Sequence, residues 1–246
     1  MDGVPLILSF NTATLGGSVC LVRGEQVLAS IFGDPSVSHS SSLLSDITRT
    51  LEVGGVSLAE VELLAAAAGP GSFTGLRIGV ASIKALAITL RRPCFGISTL
   101  HAVAHSAGPS KATVAVLPAG RGEVFAQLFS VSPDGIVKER DVPAHLPPRA
   151  MLEKHGHMPT LKWAGEGAQV HQEIIKEYAA SKAIRFAESP RTTAGWILET
   201  GKENLARDIA ALAWQRFQTG QLESPALLQA IYVRPSDAEL KKNVSQ

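Results

Sequence analysis

The sequence predicts an α/β protein made of two lobes, each a mixed sheet with flanking helices. Each half of the chain opens with three short apolar runs joined by tight turns, the pattern of an antiparallel meander. Helical and strand patterns then alternate in both halves, which predicts an internal duplication. We expect a first lobe over 1–108, a second over 109–233 and a mobile polar tail over 234–246, with the helix near 202–218 packing back on the first lobe.

The first lobe shows apolar runs bounded by turn residues, and amphipathic segments with apolar residues at steps of three and four. The predicted elements are strands over 6–12, 18–22 and 27–32, a helix from His39 that stops at Gly54, a strand over 61–68, a helix over 76–90, a strand over 94–97 and a helix to Ser106. A capping box at Ser57 to Glu60 predicts one short helical turn before the fourth strand.

The second lobe repeats this order without visible sequence identity. Its predicted elements are strands over 112–117, 123–130, 136–141 and 161–164, and helices over 170–180 and 202–217. Pro143, Pro147 and Pro148 predict a surface connection, and His155 to His157 a surface loop. Two such halves predict the duplicated actin-like (ASKHA) architecture.

A glycine-rich stretch, Gly69 to Gly79, lies between an apolar strand and the helix over 76–90. Glycines and a helix N-terminus together can accommodate an anion. The candidate anion-binding residues are Gly69, Gly71, Ser72, Thr74, Gly75 and Arg77. The alternative is a tight strand-to-helix turn with close packing, which the local chemistry favours. The stretch is neither a Walker A loop nor a GxGxxG motif.

The composition argues against several classes of protein. Charged residues make up 18% of the chain and the net charge is +1, so no general attraction to nucleic acid or membranes is built in. Cys20 and Cys94 read as core thiols of a reducing compartment. Met1 to Gly3 lack the features of a signal peptide, and no apolar run is expected to span a bilayer, which predicts a cytoplasmic protein.

Several segments together resemble the TsaB (YeaZ) family. They are ILSFNTA at 7–13, HS at 39–40 with LL at 43–44, GPGSFTGLRIG at 69–79, GISTL at 96–100, GEVF at 122–125, GEGA at 165–168 and YVR at 232–234. The resemblance is nearly continuous over the first hundred residues and sparse beyond residue 140. It implies an actin-like fold and a non-catalytic, activating role in forming threonylcarbamoyladenosine on tRNA.

The resemblance also implies partners. They are a TsaD-like catalytic subunit, of which the family is a non-catalytic paralogue, and a TsaE-like ATPase. It implies a homodimer when the chain is alone, contact with tRNA only through the complex, no tightly bound cofactor, and ATP or ADP at the partner contact. The family's contact surface corresponds here to the helices over 40–51 and 76–90. The expected interface residues are Leu43, Leu44, Ile47, Leu51, Leu76, Gly79, Val80, Ala81, Ile83 and Ala87.

Two departures from the family pattern weigh against catalysis. The first strand ends in Asn11, where relatives typically carry Asp, and a neutral amide is a poorer partner for a metal-bound phosphate. Relatives also usually carry Asp-Ala-Arg where this chain has Pro118-Ala119-Gly120. The competing class is an autonomous actin-like ATPase or phosphotransferase, for which sustained ATP turnover would be the sign.

A further alternative is a metallopeptidase-like protein using His101 and His105, which share a helix face. The His pair of the catalytic paralogue would correspond to about Thr99 and Val103, two residues earlier. Two residues turn a helix by roughly 200°, so this pair faces elsewhere, and no nearby carboxylate completes a ligand set. A solvated or partly packed pair is favoured over a metal site.

Overall fold

The computed structural model describes residues 3–187, 195–199, 204–221 and 223–233. The chain divides into two compact units. Unit 1 comprises the described residues of Met1–Ala102 and Lys202–Ala230, and unit 2 those of Val103–Gly201 and Ile231–Gln246. The predicted tail over 234–246 lies outside the described residues.

Unit 1 contains a mixed sheet of five strands in the described residues. They are β1 (Leu6–Asn11), β2 (Ser18–Arg23), β3 (Gln26–Phe32), β4 (Leu63–Gly69) and β5 (Cys94–Ser98), in the order β3-β2-β1-β4-β5. The first three strands pair antiparallel, whereas β4 and β5 run parallel to β1. The predicted meander is therefore confirmed.

Helices cover the sheet of unit 1. Those that contact its strands are α1 (His39–Gly54), α2 (Phe73–Leu90) and α7 (Leu205–Gln218), and α3 (Thr99–Ser106) also begins in this unit. Alternate side chains of β1 point to opposite faces. Leu6, Leu8 and Phe10 join the apolar cluster formed with α1 and α2. Ser9 instead donates from its hydroxyl to Ala206 O of α7 over 2.7 Å.

Unit 2 repeats this topology. Its strands are β6 (Ser110–Gly120), β7 (Glu123–Val131), β8 (Val137–Glu139), β9 (Ala144–Leu146), β10 (Leu161–Ala164), β11 (Phe186–Ala187) and β12 (Trp196–Glu199). The order is β11-β12-β10-β6-β7-β8, with β9 paired to β7. Like β1 to β3, the strands β6 to β8 form an antiparallel meander, and β10, β11 and β12 continue it in parallel. The predicted actin-like (ASKHA) duplication is confirmed.

Part of the second half differs from the sequence prediction. The proline segment predicted to be a surface connection contains β9 and a helix, α4 (Pro148–His155). Pro148 is compatible with the helix because it occupies the first helical position, where a backbone N–H would have no partner within the helix. His155 was expected in a surface loop, but it ends α4 and is 2% exposed. The remaining helices are α5 (Glu166–Val170) and α6 (Gln172–Ser181).

One described helix, α2, is long and apolar enough by length and composition to cross a membrane. This departs from the prediction that no run of that length exists. The buried stripe of α2 packs on β4 and β5, and a helix in the core of a protein passes the same test of length and composition. Its apolar character nevertheless extends beyond that stripe: Ile88 is 65% exposed.

Candidate functional site

The glycine loop touches the turn between β1 and β2. A Cβ atom at Gly75 would overlap the carbonyl oxygen of Thr12, and one at Gly79 would overlap the Thr12 hydroxyl. At Gly71, a Cβ atom would overlap the carbonyl oxygen of Ala13. The missing side chains of these glycines are therefore needed for close approach by the chain's own first turn.

Hydrogen bonds join the same two segments. Ser72 N donates to Ala13 O over 2.8 Å, and the Thr12 hydroxyl donates to Gly75 O over 2.8 Å. The Ser72 hydroxyl caps α2 by accepting from Gly75 N over 3.2 Å. Several polar groups of the loop thus bond within the chain, as expected for a close-packed strand-to-helix turn.

The other candidate anion-binding residues lie around this turn. Gly69 is buried at the end of β4, and Thr74 is exposed in the first turn of α2. Arg77 is exposed, and its guanidinium carbon lies 4.0 Å from the centre of the Phe73 ring. Binding of an anion by this loop stays a prediction.

Asn11 stabilises the β1–β2 turn. Its side chain is buried, and its Oδ1 accepts from Ala13 N over 2.9 Å. The same amide donates from Nδ2 to the Thr14 hydroxyl over 2.6 Å. Both ends of the amide therefore bond within the turn, a short-range arrangement that Asn side chains favour.

His39, the first residue of α1, completes this cluster. Its Nε2 lies 3.0 Å from Thr14 O, and because a carbonyl oxygen only accepts, this nitrogen carries the proton. A Cβ atom at Gly17 would lie 2.8 Å from the ring, and one at Gly75 would lie 3.2 Å from it. In the sequence His39 stands out only as part of the HS motif, because two of the residues that contact it are glycines distant in the chain.

The expected interface residues fall into two groups. Eight are buried within unit 1, where they face the sheet or the loop: Leu43, Ile47, Leu51, Leu76, Gly79, Val80, Ile83 and Ala87. Leu44 and Ala81 are exposed, with Leu44 67% exposed. Leu44 and Ala81 are therefore the members of the set that are accessible on this chain, and contact of the set with a partner stays a prediction.

The outer surfaces of α1 and α2 carry further exposed apolar residues. Ala85 and Ile88 follow Ala81 at helical spacing on α2, and both are exposed. Leu44 lies on α1, which contacts α2. We call Leu44, Ala81, Ala85 and Ile88 the helical face. An apolar surface on neighbouring helices is typical of a protein contact.

A segment after α7 lies beside α2. Lys84 Nζ donates to Ala226 O over 3.2 Å and to Leu228 O over 3.0 Å. Leu228 is buried against Gly96 of β5, whereas Leu227 between the two carbonyls is 75% exposed. These bonds hold the segment against the helix that carries most of the helical face.

The remaining candidate residues include a histidine pair on α3. His101 and His105 lie one turn apart on α3, and the described residues contain no group of three or more His, Cys, Asp or Glu side chains able to hold a metal ion. Pro118 is exposed near the end of β6. Glu123, the first residue of β7, lies 2.7 Å from His145 Nε2 of β9.

Known proteins resemble this chain over most of its length. A family model described as TsaD, tRNA N6-adenosine threonylcarbamoyltransferase, matches residues 34–211. The Escherichia coli tRNA threonylcarbamoyladenosine biosynthesis protein TsaB is 28% identical over 235 residues, covering 93% of this chain and 94% of that protein. The Bacillus subtilis protein of the same name is 24% identical over 222 residues, covering 89% and 96%. The solved structure of YeaZ from Pseudomonas aeruginosa matches in fold with a TM-score of 0.72 at 24% identity, covering 93% and 99%.

Proposed function

Because the chain belongs to the TsaD family, whose model is described as a tRNA N6-adenosine threonylcarbamoyltransferase, we propose that it is the TsaB-type subunit that supports this reaction. In this role it binds and activates a TsaD-like catalytic subunit in the cytoplasm. The names of the Escherichia coli and Bacillus subtilis relatives support this role, since both are threonylcarbamoyladenosine biosynthesis proteins matched over most of their length.

The observation that carries the proposal is the exposed helical face. Leu44 and Ile88 are 67% and 65% exposed, although both are large aliphatic side chains. Burying such side chains against a partner is favourable by about 1.5–3 kcal/mol each. Asn11 and the glycine loop hold the β1–β2 turn, so their polar groups are used in building the lobe that carries this face.

The finer parts of the proposal follow from the family. A TsaE-like ATPase joins the complex, ATP or ADP binds at the partner contact, and tRNA is reached only through the complex. Alone, the chain forms a homodimer by pairing its helical face with that of a second copy. The same helical face would be buried in the homodimer and in the complex with the catalytic subunit, so the two assemblies would be mutually exclusive.

Placing a charge in the helical face tests the proposal. Ala85→Asp and Ile88→Asp should each weaken binding of the catalytic subunit by at least about tenfold, because a carboxylate would be desolvated at the contact. Formation of threonylcarbamoyladenosine by the reconstituted complex should fall in parallel. Val170→Asp is the matched control, since Val170 is 65% exposed on α5 of unit 2.

Calorimetric titration of each variant with the TsaD-like catalytic subunit from the same organism gives the affinities, and thermal unfolding shows whether each variant folds. Wild-type affinity in both helical-face variants would show that the catalytic subunit contacts another surface of the chain. Full modification of tRNA with this chain left out would refute the activating role. Sustained Mg-dependent ATP turnover by the purified chain would instead favour the phosphotransferase class.

A further inference from the structure

We propose that His39 is a positioning residue that holds the start of α1 against the start of α2 and thereby sets the geometry of the helical face. The inference rests on the proposed function for the meaning of that face. The evidence for this role is the position of the His39 ring, which belongs to α1 and contacts the β1–β2 turn and the start of α2.

The ring of His39 lies between two glycines from different parts of the chain. Gly17 belongs to the β1–β2 turn, and Gly75 to the first turn of α2. Side chains at these positions would press on the ring edge from distances of 2.8 and 3.2 Å. The histidine is therefore in contact with both the turn and the second helix, although it belongs to the first.

The hydrogen bond from Nε2 to Thr14 O fixes the orientation of the ring. Thr14 is itself held by the amide of Asn11. The Thr12 hydroxyl, two residues earlier, donates to Gly75 O of α2. The β1–β2 turn thus bonds to His39 on one side and to α2 on the other, and it connects the beginnings of the two helices.

Among the described residues, no side-chain capping hydrogen bond is made at the N-terminus of α1. Ser38 occupies the N-cap position but makes no capping hydrogen bond, and its hydroxyl contacts those of Ser40 and Ser41 instead. A side-chain cap normally contributes about 1 kcal/mol to a helix start. The contact of His39 with the turn attaches the first residue of α1 to the rest of the unit.

The attachment matters for the helical face because that face is shared between two helices. Leu44 follows His39 by five residues on α1, whereas Ala81 and Ala85 lie on α2. A shift of the α1 start would move Leu44 relative to these residues. Binding a partner would then require the helices to be reordered first, which lowers the observed affinity.

The distance between α1 and α2 tests the positioning directly. Spin labels at Thr48→Cys and Thr89→Cys report it, because both positions are exposed. Both native thiols, Cys20 and Cys94, are fully buried, so the spin label should not reach them. We expect His39→Ala to shift or broaden the distance distribution measured by electron spin resonance, and His157→Ala, at an exposed histidine of unit 2, to leave it unchanged.

Two further variants separate the hydrogen bond from the volume of the ring. His39→Gln keeps an N–H at about the position of Nε2 and should restore the wild-type distribution. His39→Met keeps the bulk but removes the donor, so it remains informative if His39→Ala does not fold. In the unlabelled chain, His39→Met should weaken binding of the catalytic subunit by about fivefold, and His39→Gln should recover it.

Wild-type distances and affinity in His39→Met would overturn the positioning role while leaving the proposed function intact. Failure of the wild-type chain to bind the catalytic subunit would instead refute the proposed function. In that case the distance measurement still decides whether His39 positions α1 against α2.

Discussion

At the scale of single residues, the polar side chains of the β1–β2 turn bond within the chain. Asn11 was singled out because it replaces a carboxylate that a phosphate-binding site would use. In the structure its amide bonds to Ala13 N and to the Thr14 hydroxyl. The loop glycines lie close to the β1–β2 turn, as in a close-packed strand-to-helix turn, and binding of an anion there stays a prediction. The contacts between the loop and the turn join residues about sixty positions apart, so no local sequence pattern predicts them.

His155 gives a prediction on the dependence of stability on pH. Burial lowers the pKa of His155 to about 4, although the Asp141 carboxylate, 3.8 Å from Nε2, acts in the opposite direction. In the unfolded chain the imidazole binds a proton near pH 6.5. Between these values the native state binds fewer protons, so stability should fall as pH is lowered through this window.

The expected contribution approaches about 1.4 kcal/mol per pH unit. Urea unfolding of the wild type and of His155→Leu, at several pH values between the two pKa values, measures it. The Asp141–Lys154 ion pair is retained in the variant, so the difference in slope isolates the histidine. Equal slopes would show that His155 is accessible to protons in the folded state.

At the scale of elements, periodicity predicted most of the first unit. The apolar steps of α1 and α2 and the meander of β1 to β3 correspond to the observed elements within a few residues. The residues that recur at steps of three and four mostly face the sheet, so eight of the ten expected interface residues are buried in unit 1. Contact of this set with a partner stays a prediction. Short elements such as β9 and β11 are defined by their pairing with another strand, and the periodicity of a short segment does not encode that pairing.

Two isoleucines of α2 separate the two faces of the helix. Ile83 is fully buried, so Ile83→Ala should lower the free energy of unfolding by about 2–5 kcal/mol. Ile88 is 65% exposed, and Ile88→Ala should change it by less than about 0.5 kcal/mol while weakening the binding of the catalytic subunit. Denaturant unfolding and titration calorimetry on both variants provide the comparison. A large loss of stability in Ile88→Ala would show that this side of α2 is already covered.

At the scale of the whole molecule, the duplication was readable because each unit repeats a meander followed by parallel strands. Unit 1 is not continuous in the sequence, because α7 from near the end of the chain packs on its sheet. The Ser9 hydroxyl bonds to Ala206 O, and Ala206 N donates to the Ser18 hydroxyl over 3.2 Å. Buried alanines and aliphatic residues of α7 cover the same side of the sheet.

A chain that ends at residue 199 should therefore fail to fold unit 1 cooperatively. Removing α7 would expose the side of β1 and β2 that it covers, and each large aliphatic side chain lost from this contact removes about 1.5–3 kcal/mol. Hydrogen exchange of the β1 and β2 amides measures the effect. Ile209→Asp in the full-length chain is the companion variant, since Ile209 is fully buried in α7. Native protection in both chains would contradict the assignment of α7 to this unit.

The placement of α7 also has a consequence for synthesis. A ribosome completes the five strands of unit 1 by Ser98 but delivers the end of α7 only at Gln218. At about 5–20 residues per second, the nascent sheet waits roughly 6 to 24 s for its covering helix. During this interval the growing polypeptide presents an uncovered apolar layer to chaperones and to neighbouring nascent chains, so the rate of translation itself influences how much of the protein matures.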